Sequence, residues 1–422
     1  MLSLYIHIPF CDRKCEYCNF FVIARDNPNR QDSIIEQYLT ALHGEIDYRA
    51  WLIPHEKIKT IYFGGGTPGI LSLSQITSII DHIRRVRDCQ YIEELSIELN
   101  PDPFEHTLEL VKWLTSIYKD IPRVRCSFGI QTFDDTVLKQ ASRGYVFNNV
   151  RHFLRELREI KQATNVFNLD FIAFGTRDQQ TKIRKEFLAN MIASQTFDSY
   201  SLYLLELFPG SKRYSLLHNT NLSPLLIKLV NPDEQAIMTE YNAIADMLYS
   251  WWYTQYEVSN WSLAGKSSIH NHVYWNMEPY LGLGTSASWL TTIPLIKSSP
   301  NKILLNEKLE KYQASWFTRY TNTCNISSYL KWEYTDNIKT THLTDHDYHM
   351  EKLMLALRTN DWIHNLSSYG SYLNPKRKNL ITEWQSQGLI QYHDDRIILT
   401  HEGMKLGNRI IVDLLDFNTT QW

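Results

Sequence analysis

The sequence predicts an α/β fold: a TIM-like parallel barrel or partial barrel, (β/α)6, followed by a C-terminal helical, winged-helix-like module. In the first half of the 422 residues, short apolar runs alternate with amphipathic stretches, and successive runs begin roughly 30–55 residues apart. That spacing leaves room for one crossover helix between parallel strands. The absence of a dinucleotide-type glycine fingerprint favours a barrel or partial barrel.

Six apolar runs are the predicted strands: residues 4–8, 60–63, 95–99, 124–130, 168–172 and 200–205. The helices predicted between them cover residues 37–51, 74–87, 107–117 and 148–162, where apolar residues recur at helical spacing. Unusual residues follow the strands, namely Cys11, residues 64–67, Glu98 with Asn100, and Gln131. Because such barrels carry their chemistry at the C-terminal ends of strands, we expect the functional site there.

The alternation fades after residue 231, where we place the end of the barrel. Residues 232–255 are typical of one helix, with the Asp233 carboxylate at its N-terminus. An irregular stretch rich in aromatic residues follows, from Tyr256 to Trp289. We assign residues 232–330 to a linker region.

The last predicted domain, residues 331–422, resembles a winged helix because helices precede a β-hairpin. Its predicted elements are helices at 345–357, 379–387 and 407–415 and hairpin strands at 389–392 and 396–400. Winged helices often bind DNA, but this region carries ten Lys and Arg against twelve Asp and Glu. The negative net charge argues against a nucleic-acid partner.

The composition is that of an ordinary globular protein, with 43% hydrophobic residues, 21% charged residues and a formal net charge of −3. This balance argues against electrostatic capture of nucleic acid or anionic lipid. The apolar runs fall far short of the about 18 residues that span a bilayer, and no secretory signal is recognisable. We expect a cytoplasmic protein without a membrane span; its oligomeric state stays open, with a homodimer as one alternative.

Three of the six cysteines form the compact motif C-x3-C-x2-C: Cys11, Cys15 and Cys18. Clustered thiolates in a reducing compartment indicate a metal centre. Structural zinc prefers two separate pairs of ligands, and no second pair occurs here, so zinc would need a distant fourth ligand. Iron–sulfur clusters use thiolates in compact runs of this kind, and three thiolates for four irons would leave one iron open.

This motif after a first barrel strand resembles that of the radical S-adenosylmethionine (SAM) superfamily. The resemblance implies a partial (β/α)6 barrel and a [4Fe–4S] cluster held by the three cysteines. It also implies that the open iron binds SAM, whose reductive cleavage gives a radical. A zinc-stabilised barrel without SAM is the alternative from the class of structural metal proteins.

Further motifs narrow the resemblance to the oxygen-independent coproporphyrinogen III dehydrogenase family: residues 5–11 (YIHIPFC), 64–68 (GGGTP), 127–133 (SFGIQTF) and 256–260 (YEVSN). Glycines allow the backbone to approach a ligand closely, and a guanidinium suits a carboxylate partner. The SAM-binding residues that this resemblance implies are Tyr5, Tyr17, Gly65, Gly66, Thr67, Glu98, Gln131, Arg143 and Asp170. Core packing for the tyrosines, a helix cap for Glu98 and a surface salt bridge for Arg143 are the structural alternatives.

Two features separate the chain from the dehydrogenases and resemble the HemW-type haem chaperones. Phe20 replaces the dehydrogenases' fourth cysteine, and residues 270–275 form an H-N-x-x-Y-W motif. Imidazole is a good ligand for haem iron, so this resemblance implies His270 as the axial ligand, with His272 as its competitor. The implied haem-binding residues are His270, Asn271, Tyr274 and Trp275. The alternative is that they form a hydrogen-bonded aromatic patch of the core.

The resemblance implies a haem chaperone that carries a SAM-liganded [4Fe–4S] cluster and delivers haem to acceptor haemoproteins, membrane-associated respiratory enzymes among the candidates. The enzyme alternative belongs to porphyrin biosynthesis: oxidative decarboxylation of coproporphyrinogen III to protoporphyrinogen IX. Because the fourth cysteine is missing, we expect no dehydrogenase activity.

Overall fold

The structure, a computed structural model, describes residues 1–24, 28–52, 57–162, 164–175, 181–209, 211–218, 233–291, 317–331 and 338–415. The strands in these residues are β1 (Leu2–Ile8), β2 (Phe10–Cys11), β3 (Ile23–Ala24), β4 (Ile58–Gly65), β5 (Glu94–Leu99), β6 (Val124–Gln131), β7 (Asn165–Ala173), β8 (Ser199–Leu204), β9 (Thr254–Glu257), β10 (Asn260–Ser262), β11 (Tyr280–Leu283), β12 (Ser288–Thr291), β13 (Phe317–Thr321), β14 (Lys339–Leu343), β15 (Ile390–His393) and β16 (Arg396–Leu399).

Twelve of these strands form one mixed sheet, in the order β14-β13-β12-β11-β1-β4-β5-β6-β7-β8-β10-β9. The strands from β11 to β8 in this order run parallel to their neighbours, and antiparallel strands extend both edges. The six predicted strands are β1, β4, β5, β6, β7 and β8, each observed one to three residues longer at one end or both, except that β8 is shifted by one residue. The predicted α/β partial barrel is therefore confirmed.

Helices connect and cover these strands. In the described residues they are α1 (Pro28–Leu52), α2 (Leu73–Val86), α3 (Phe104–Ile117), α4 (Asp135–Gln140), α5 (Phe147–Ile160), α6 (Thr181–Ala193), α7 (Lys212–Leu217), α8 (Glu234–Ser250), α9 (Ile269–Trp275), α10 (Ile326–Leu330), α11 (Asp345–Ala356), α12 (Arg377–Ser386), α13 (His401–Lys405) and α14 (Gly407–Leu414). Across the described parts of the chain, every helix is too short or too polar to cross a bilayer.

Helix α2 shows how the sequence pattern places a helix. Its isoleucines at helical spacing, from Ile76 to Ile83, are fully buried in the main core, as a single apolar stripe requires. Ser72 accepts a hydrogen bond from the Gln75 backbone amide, and the Gln75 side chain accepts one from the Ser72 amide. This capping box satisfies two backbone donors at the N-terminus of the helix and fixes where the helix begins.

The second half is more regular than the sequence predicts. Asp233 does cap a helix, since its carboxylate accepts from the Ala236 amide at 3.0 Å, but α8 ends at Ser250 rather than at residue 255. The stretch expected to be irregular, residues 256–289, contains β10, α9, β11 and the first half of β12. These elements have three to seven residues each, too few for a periodic pattern to reveal them.

The C-terminal elements have the predicted order of helices and hairpin. Strands β15 and β16 pair across a turn in which Asp394 and Asp395 both have positive φ, the requirement of a type I′ hairpin. These elements bury a core of their own, separate from that of the barrel. They meet the barrel through backbone hydrogen bonds such as Val258 N–H to Arg358 O at 2.8 Å. The three-domain division stays a prediction, and the large sheet itself continues past residue 331 into β14.

Candidate functional site

The C-terminal ends of the parallel strands open on a cavity of about 570 Å³, which we call the cysteine cavity. The predicted residues that line it are Cys11, Cys15, Cys18, Tyr17, Gly65, Gly66, Thr67, Glu98, Gln131, Arg143 and Asp170. They come from the loop after β1 and from the ends of β4 to β7 together with Arg143 in the loop before α5. Parallel strands bring these distant segments together because their carboxyl ends meet at one edge of the sheet.

The loop that carries the cysteines is anchored at both ends. The short strands β2 and β3 pair in parallel, with Cys11 opposite Ala24, and the Ile23 amide donates to the Pro9 carbonyl at 2.7 Å. All three cysteines are free thiols, Cys11 buried and the other two half-buried. Burial raises the pKa of Cys11 to about 12, and Cys18 and Cys15 nearby raise it further. A bound metal would reverse this, because coordination deprotonates a thiol.

The three thiols are not gathered as closely as the ligands of a single zinc ion. Tetrahedral zinc with Zn–S bonds of about 2.3 Å places its sulfurs about 3.8 Å apart. Within the described residues, the group whose metal-ligating atoms all lie within 4.8 Å of one another is Asp246, His401 and Glu402, on the protein surface, and the three cysteines do not form such a group. Three thiolates on one compact loop are the ligand arrangement that iron–sulfur clusters use.

The glycine-rich turn after β4 packs directly on this loop. The amides of Gly66 and Thr67 donate to the carbonyls of Ile8 and Phe10, both at 2.8 Å. A Cβ atom on Gly66 would lie 2.6 Å from the Phe10 carbonyl oxygen and 3.0 Å from Cys11 Sγ. A side chain at this position would displace the first cysteine, so the close approach of the two backbones requires glycine here.

Two half-buried carboxylates face the cysteine cavity. Glu98 accepts from the Tyr62 hydroxyl at 2.7 Å and from the Gly65 amide at 3.2 Å. Burial raises the pKa of Glu98 to about 7, although the Tyr62 hydrogen bond opposes the shift. Asp170 accepts from Ser127 Oγ at 3.0 Å and from Asn168 Nδ2 at 2.7 Å, and burial raises its pKa as well. Both groups are placed to accept hydrogen bonds or to bind a cation.

Arg143 lines this cavity and has one buried donor without a partner in the described residues. Its Nη1 donates to Asn100 Oδ1 at 3.0 Å and its Nη2 to the Tyr17 hydroxyl at 2.7 Å. Its Nε is buried and has no hydrogen-bond partner among the described residues. A half-buried guanidinium that lines a cavity suits an anionic group such as the carboxylate of SAM. The residues present therefore fit the cofactor that the sequence motifs imply.

Asn100 also lines the cysteine cavity, although it was not among the residues predicted to bind a ligand. Besides accepting from Arg143, it donates to Thr67 Oγ1 at 3.2 Å, and Thr67 Oγ1 lies 3.4 Å from Cys11 Sγ. It thus links the arginine to the cysteine loop. Its position directly after β5, two residues from Glu98, was the available signal.

Tyr5 lies beneath the cavity rather than in its wall. Its ring stacks on Tyr62 with 6.0 Å between centroids, and its hydroxyl hydrogen-bonds to His7 Nδ1 at 3.1 Å. The Tyr5 ring approaches the position of Gly64, where an added Cβ would lie 2.9 Å from it. Tyr5 therefore supports the glycine turn from below.

A second cavity of about 560 Å³, which we call the aromatic cavity, adjoins the first. Its described lining residues are Tyr203, Glu257, Val258, Ser259, Asn260, Asn271, Tyr274, Trp275, Met277, Tyr280, Leu290, Arg319, Glu351 and Leu355. Three of the four predicted haem residues belong to this set. Tyr203, Val258 and Ser259 line both cavities, so the two are neighbours with a shared wall.

His270, the fourth predicted haem residue, is 0% exposed and lies behind this wall. Its Nδ1 hydrogen-bonds to Thr60 Oγ1 at 2.6 Å and its Nε2 to the Tyr274 hydroxyl at 2.7 Å. Burial, together with the charge of Arg125, lowers the pKa of His270 to about 3. The ring is therefore neutral at pH 7, the form that binds metals, but both nitrogens are engaged.

His272, the neighbouring histidine, is half-buried, and its ring lies 5.4 Å from that of Tyr256. Burial lowers its pKa too. It is not among the described residues that line the aromatic cavity. The structure thus places neither histidine in the cavity wall and gives His270 the closer connection to it, through Tyr274.

Comparison with known proteins agrees with this architecture. The model of the radical SAM superfamily matches residues 5–179. A Bacillus subtilis (strain 168) protein named heme chaperone HemW is 29% identical over 418 residues, which cover 97% of this chain and 98% of that protein. A protein of the same name from Buchnera aphidicola subsp. Schizaphis graminum is 31% identical over 289 residues, covering 68% of this chain and 69% of that protein.

Among solved structures, coproporphyrinogen III oxidase (HemN) from Escherichia coli is similar, with a TM-score of 0.70. The match covers 98% of this chain and 89% of that chain at 20% identity. At that identity the likeness establishes the fold alone. It extends over the C-terminal module as well as the barrel.

Proposed function

Because the chain belongs to the HemW family of radical SAM proteins, we propose that it binds haem and delivers it to acceptor haemoproteins, membrane-associated respiratory enzymes among them. The observation that carries this proposal is the aromatic cavity. Three residues of the H-N-x-x-Y-W motif line it, and its volume lies within the range of about 300–1,000 Å³ typical of cofactor sites. Its shared wall with the cysteine cavity would place haem beside the cluster.

We assign the cysteine cavity to a [4Fe–4S] cluster and SAM. Cys11, Cys15 and Cys18 would hold the cluster, which when bound supplies the electron for reductive cleavage of SAM. Arg143 binds the SAM carboxylate with its guanidinium. The glycine turn lets the cofactor approach the backbone.

The remaining polar groups of the cysteine cavity orient SAM. Glu98 lies beside the glycine turn, where its carboxylate attracts the cationic end of the cofactor. Asp170 accepts hydrogen bonds from the ribose hydroxyls. Gln131, the last residue of β6, adds a side-chain amide at the same edge of the sheet.

We assign His270 as the axial ligand of haem iron. Its neutral ring has the lone pair that ligation needs, but its Nε2 is bonded to the Tyr274 hydroxyl. Ligation through Nε2 therefore requires the Tyr274 hydroxyl to move away. Tyr274 and Trp275 line the cavity and would then contact the porphyrin face or edge, while Asn271 supplies an amide nearby.

A haem titration of the purified, cluster-reconstituted protein tests this function, run beside an assay with SAM, reductant and coproporphyrinogen III. We expect stoichiometric haem binding, transfer of haem to an apo-haemoprotein and no conversion of coproporphyrinogen. Absence of haem binding would overturn the proposal.

The dehydrogenase is the second candidate, because the fold matches that of an enzyme named coproporphyrinogen III oxidase. Against it stands Phe20, which occupies the position of the dehydrogenases' fourth cysteine and lines the cysteine cavity, 61% exposed. Conversion of coproporphyrinogen at a catalytic rate would favour this candidate over the chaperone.

A further inference from the structure

The aromatic cavity has one ion pair in its described wall. Arg319 Nη2 and Glu351 Oε1 lie 2.5 Å apart. Among the described lining residues Arg319 is the only cation, since the rest are aromatic, aliphatic, thioether, hydroxyl, amide-bearing or acidic side chains. The acidic residue besides Glu351 is Glu257, whose pKa burial raises to about 7, so it is only partly charged near neutral pH.

Arg319 lies in a strand that is paired on both sides. It lies in β13, opposite Leu290 of β12 on one side and Thr341 of β14 on the other. Glu351 comes from α11, the helix that begins directly after β14. The guanidinium is therefore fixed between the extended edge of the sheet and the C-terminal module, and its side chain is still 33% exposed.

The guanidinium is not saturated by this contact. The contact with Glu351 uses Nη2, and an arginine has five N–H donors in a planar fork. Such a fork matches the geometry of a carboxylate. An anionic group in the aromatic cavity could therefore bind the Arg319 guanidinium without a rearrangement of the barrel.

Haem has the complementary chemistry: a flat apolar macrocycle with two propionate carboxylates at one edge. The aromatic cavity offers Tyr274, Trp275 and Tyr280 for the macrocycle and one cation for the carboxylates. We propose that Arg319 binds a haem propionate in this cavity. This inference rests on the proposed haem-binding function and names the group that orients the porphyrin there.

The test compares haem with haem dimethyl ester, in which both propionates are neutral. We expect the wild-type protein to bind haem ~10-fold or more tightly than the ester, since a charge-assisted bond to arginine is lost. Arg319→Gln should weaken haem binding by a similar factor and bind both ligands equally. Arg319→Lys, which keeps the charge, should keep part of the discrimination.

Arg396→Gln is the matched control, because Arg396 is also ion-paired and equally exposed, at 34%, and does not line the cavity. It should behave as the wild type does. If the wild type binds haem and its ester equally, or if Arg319→Gln still discriminates, the propionate assignment is wrong while haem binding stands. If the wild type binds neither ligand, the proposed function itself fails. If Arg319→Gln does not fold, the ratio of the affinities for haem and its ester, measured in the wild type and in Arg319→Lys, still tests the propionate assignment.

Discussion

The Nε2 atom of His270 lies 2.7 Å from the hydroxyl oxygen of Tyr274, one helical turn further along α9. Tyr274 lines the aromatic cavity and His270 does not. Within the H-N-x-x-Y-W motif, the tyrosine therefore separates the histidine from the aromatic cavity. On the far side of the ring, Thr60 fixes Nδ1, so the ring cannot turn without breaking a second hydrogen bond.

Removing the tyrosine hydroxyl should make His270 easier to ligate. A hydrogen bond of this kind contributes about 0.5–1.5 kcal/mol net, so we expect Tyr274→Phe to bind haem a few-fold more tightly than the wild type. His270→Ala should weaken binding and change the haem absorption spectrum while the cluster stays intact. Optical haem titrations measure both effects.

His272→Ala is the control for this assignment and should titrate as the wild type does. An unchanged spectrum and affinity in His270→Ala would rule out His270 as the ligand. Loss of binding in His272→Ala alone would transfer the role to that residue.

Replacing Arg143 should weaken SAM binding without loss of iron. A charge-assisted hydrogen bond is worth about 1.5–3 kcal/mol, so Arg143→Gln should raise the dissociation constant for SAM about 10- to 150-fold. Equilibrium binding to the reconstituted protein measures this, with iron content as the check on the cluster. Arg13→Gln changes another cationic residue of the same cavity and should have a smaller effect; equal losses would contradict a specific role for Arg143.

The affinity for SAM should depend on pH through Glu98. Burial raises the pKa of this carboxyl to about 7, so it is protonated below that pH and ionised above it. SAM is cationic at its sulfonium and ammonium groups, and the ionised form attracts it. We expect SAM affinity to rise between about pH 6 and about pH 8 and then to level off.

Glu98→Gln should bind SAM more weakly and show no such rise. Glu206→Gln, a change to another carboxylate in the wall of the cysteine cavity, should keep the wild-type profile. A flat profile in the wild type would exclude Glu98 from contact with the cofactor's cationic groups.

The three loop cysteines should be required for the visible iron–sulfur absorption of the protein. We expect the Cys11/Cys15/Cys18→Ser variant to lose the visible iron–sulfur absorption and its iron while remaining folded, because the barrel core lies elsewhere. Cys324→Ser, which changes an exposed cysteine, should keep both. A colourless wild type that contains one zinc per chain after anaerobic reconstitution would support the zinc-stabilised barrel instead.

Among the charged residues of α1, replacement of Glu45 should lower the free energy of unfolding the most. It is fully buried and accepts from the Gly284 amide at 2.8 Å, Asn322 Nδ2 at 2.9 Å and the Tyr329 hydroxyl at 2.8 Å, beside an ion pair with Arg49. Breaking a buried ion pair by removing one partner costs about 3–5 kcal/mol. We expect Glu45→Ala to lower the free energy of unfolding by about that amount, measured by chemical denaturation.

Glu36→Ala on the same helix is the matched control. Glu36 is exposed and accepts one side-chain hydrogen bond, from Gln75. Surface contacts of this kind contribute about 0–1 kcal/mol. A Glu45→Ala variant as stable as Glu36→Ala would show that the buried network does not hold α1 to the sheet.

The barrel could be predicted because its strands and helices are long enough to repeat. Each of the six strands was located within a few residues, and the buried isoleucines of α2 follow the predicted spacing. The elements between residues 256 and 289 could not be predicted in the same way. Strand β10, for example, has three residues, and its place beside β8 depends on pairing with a segment some sixty residues earlier in the chain.

The same distinction applies to the residues of the candidate site, since some could be predicted from the sequence and others could not. The spacing of Cys11, Cys15 and Cys18 identified a candidate metal site without any coordinates, because ligands on one loop are close in space by being close in sequence. Asn100 had only its position directly after β5 as a signal, and Arg319 had none. Asn100 gains its role from Arg143 and Thr67, and Arg319 gains its role from Glu351, a residue of another element.

The sequence by itself determined the parallel α/β architecture, the cysteine loop and the family, because each depends on periodicity or on a contiguous motif. Only the tertiary structure decided that Tyr5 lies below the cysteine cavity, that His270 lies behind the wall of the aromatic cavity and is bonded to Tyr274, and that the two cavities share a wall. Those relationships arise where strand ends and helices far apart in the chain pack together, and packing of that kind leaves no local pattern in the sequence.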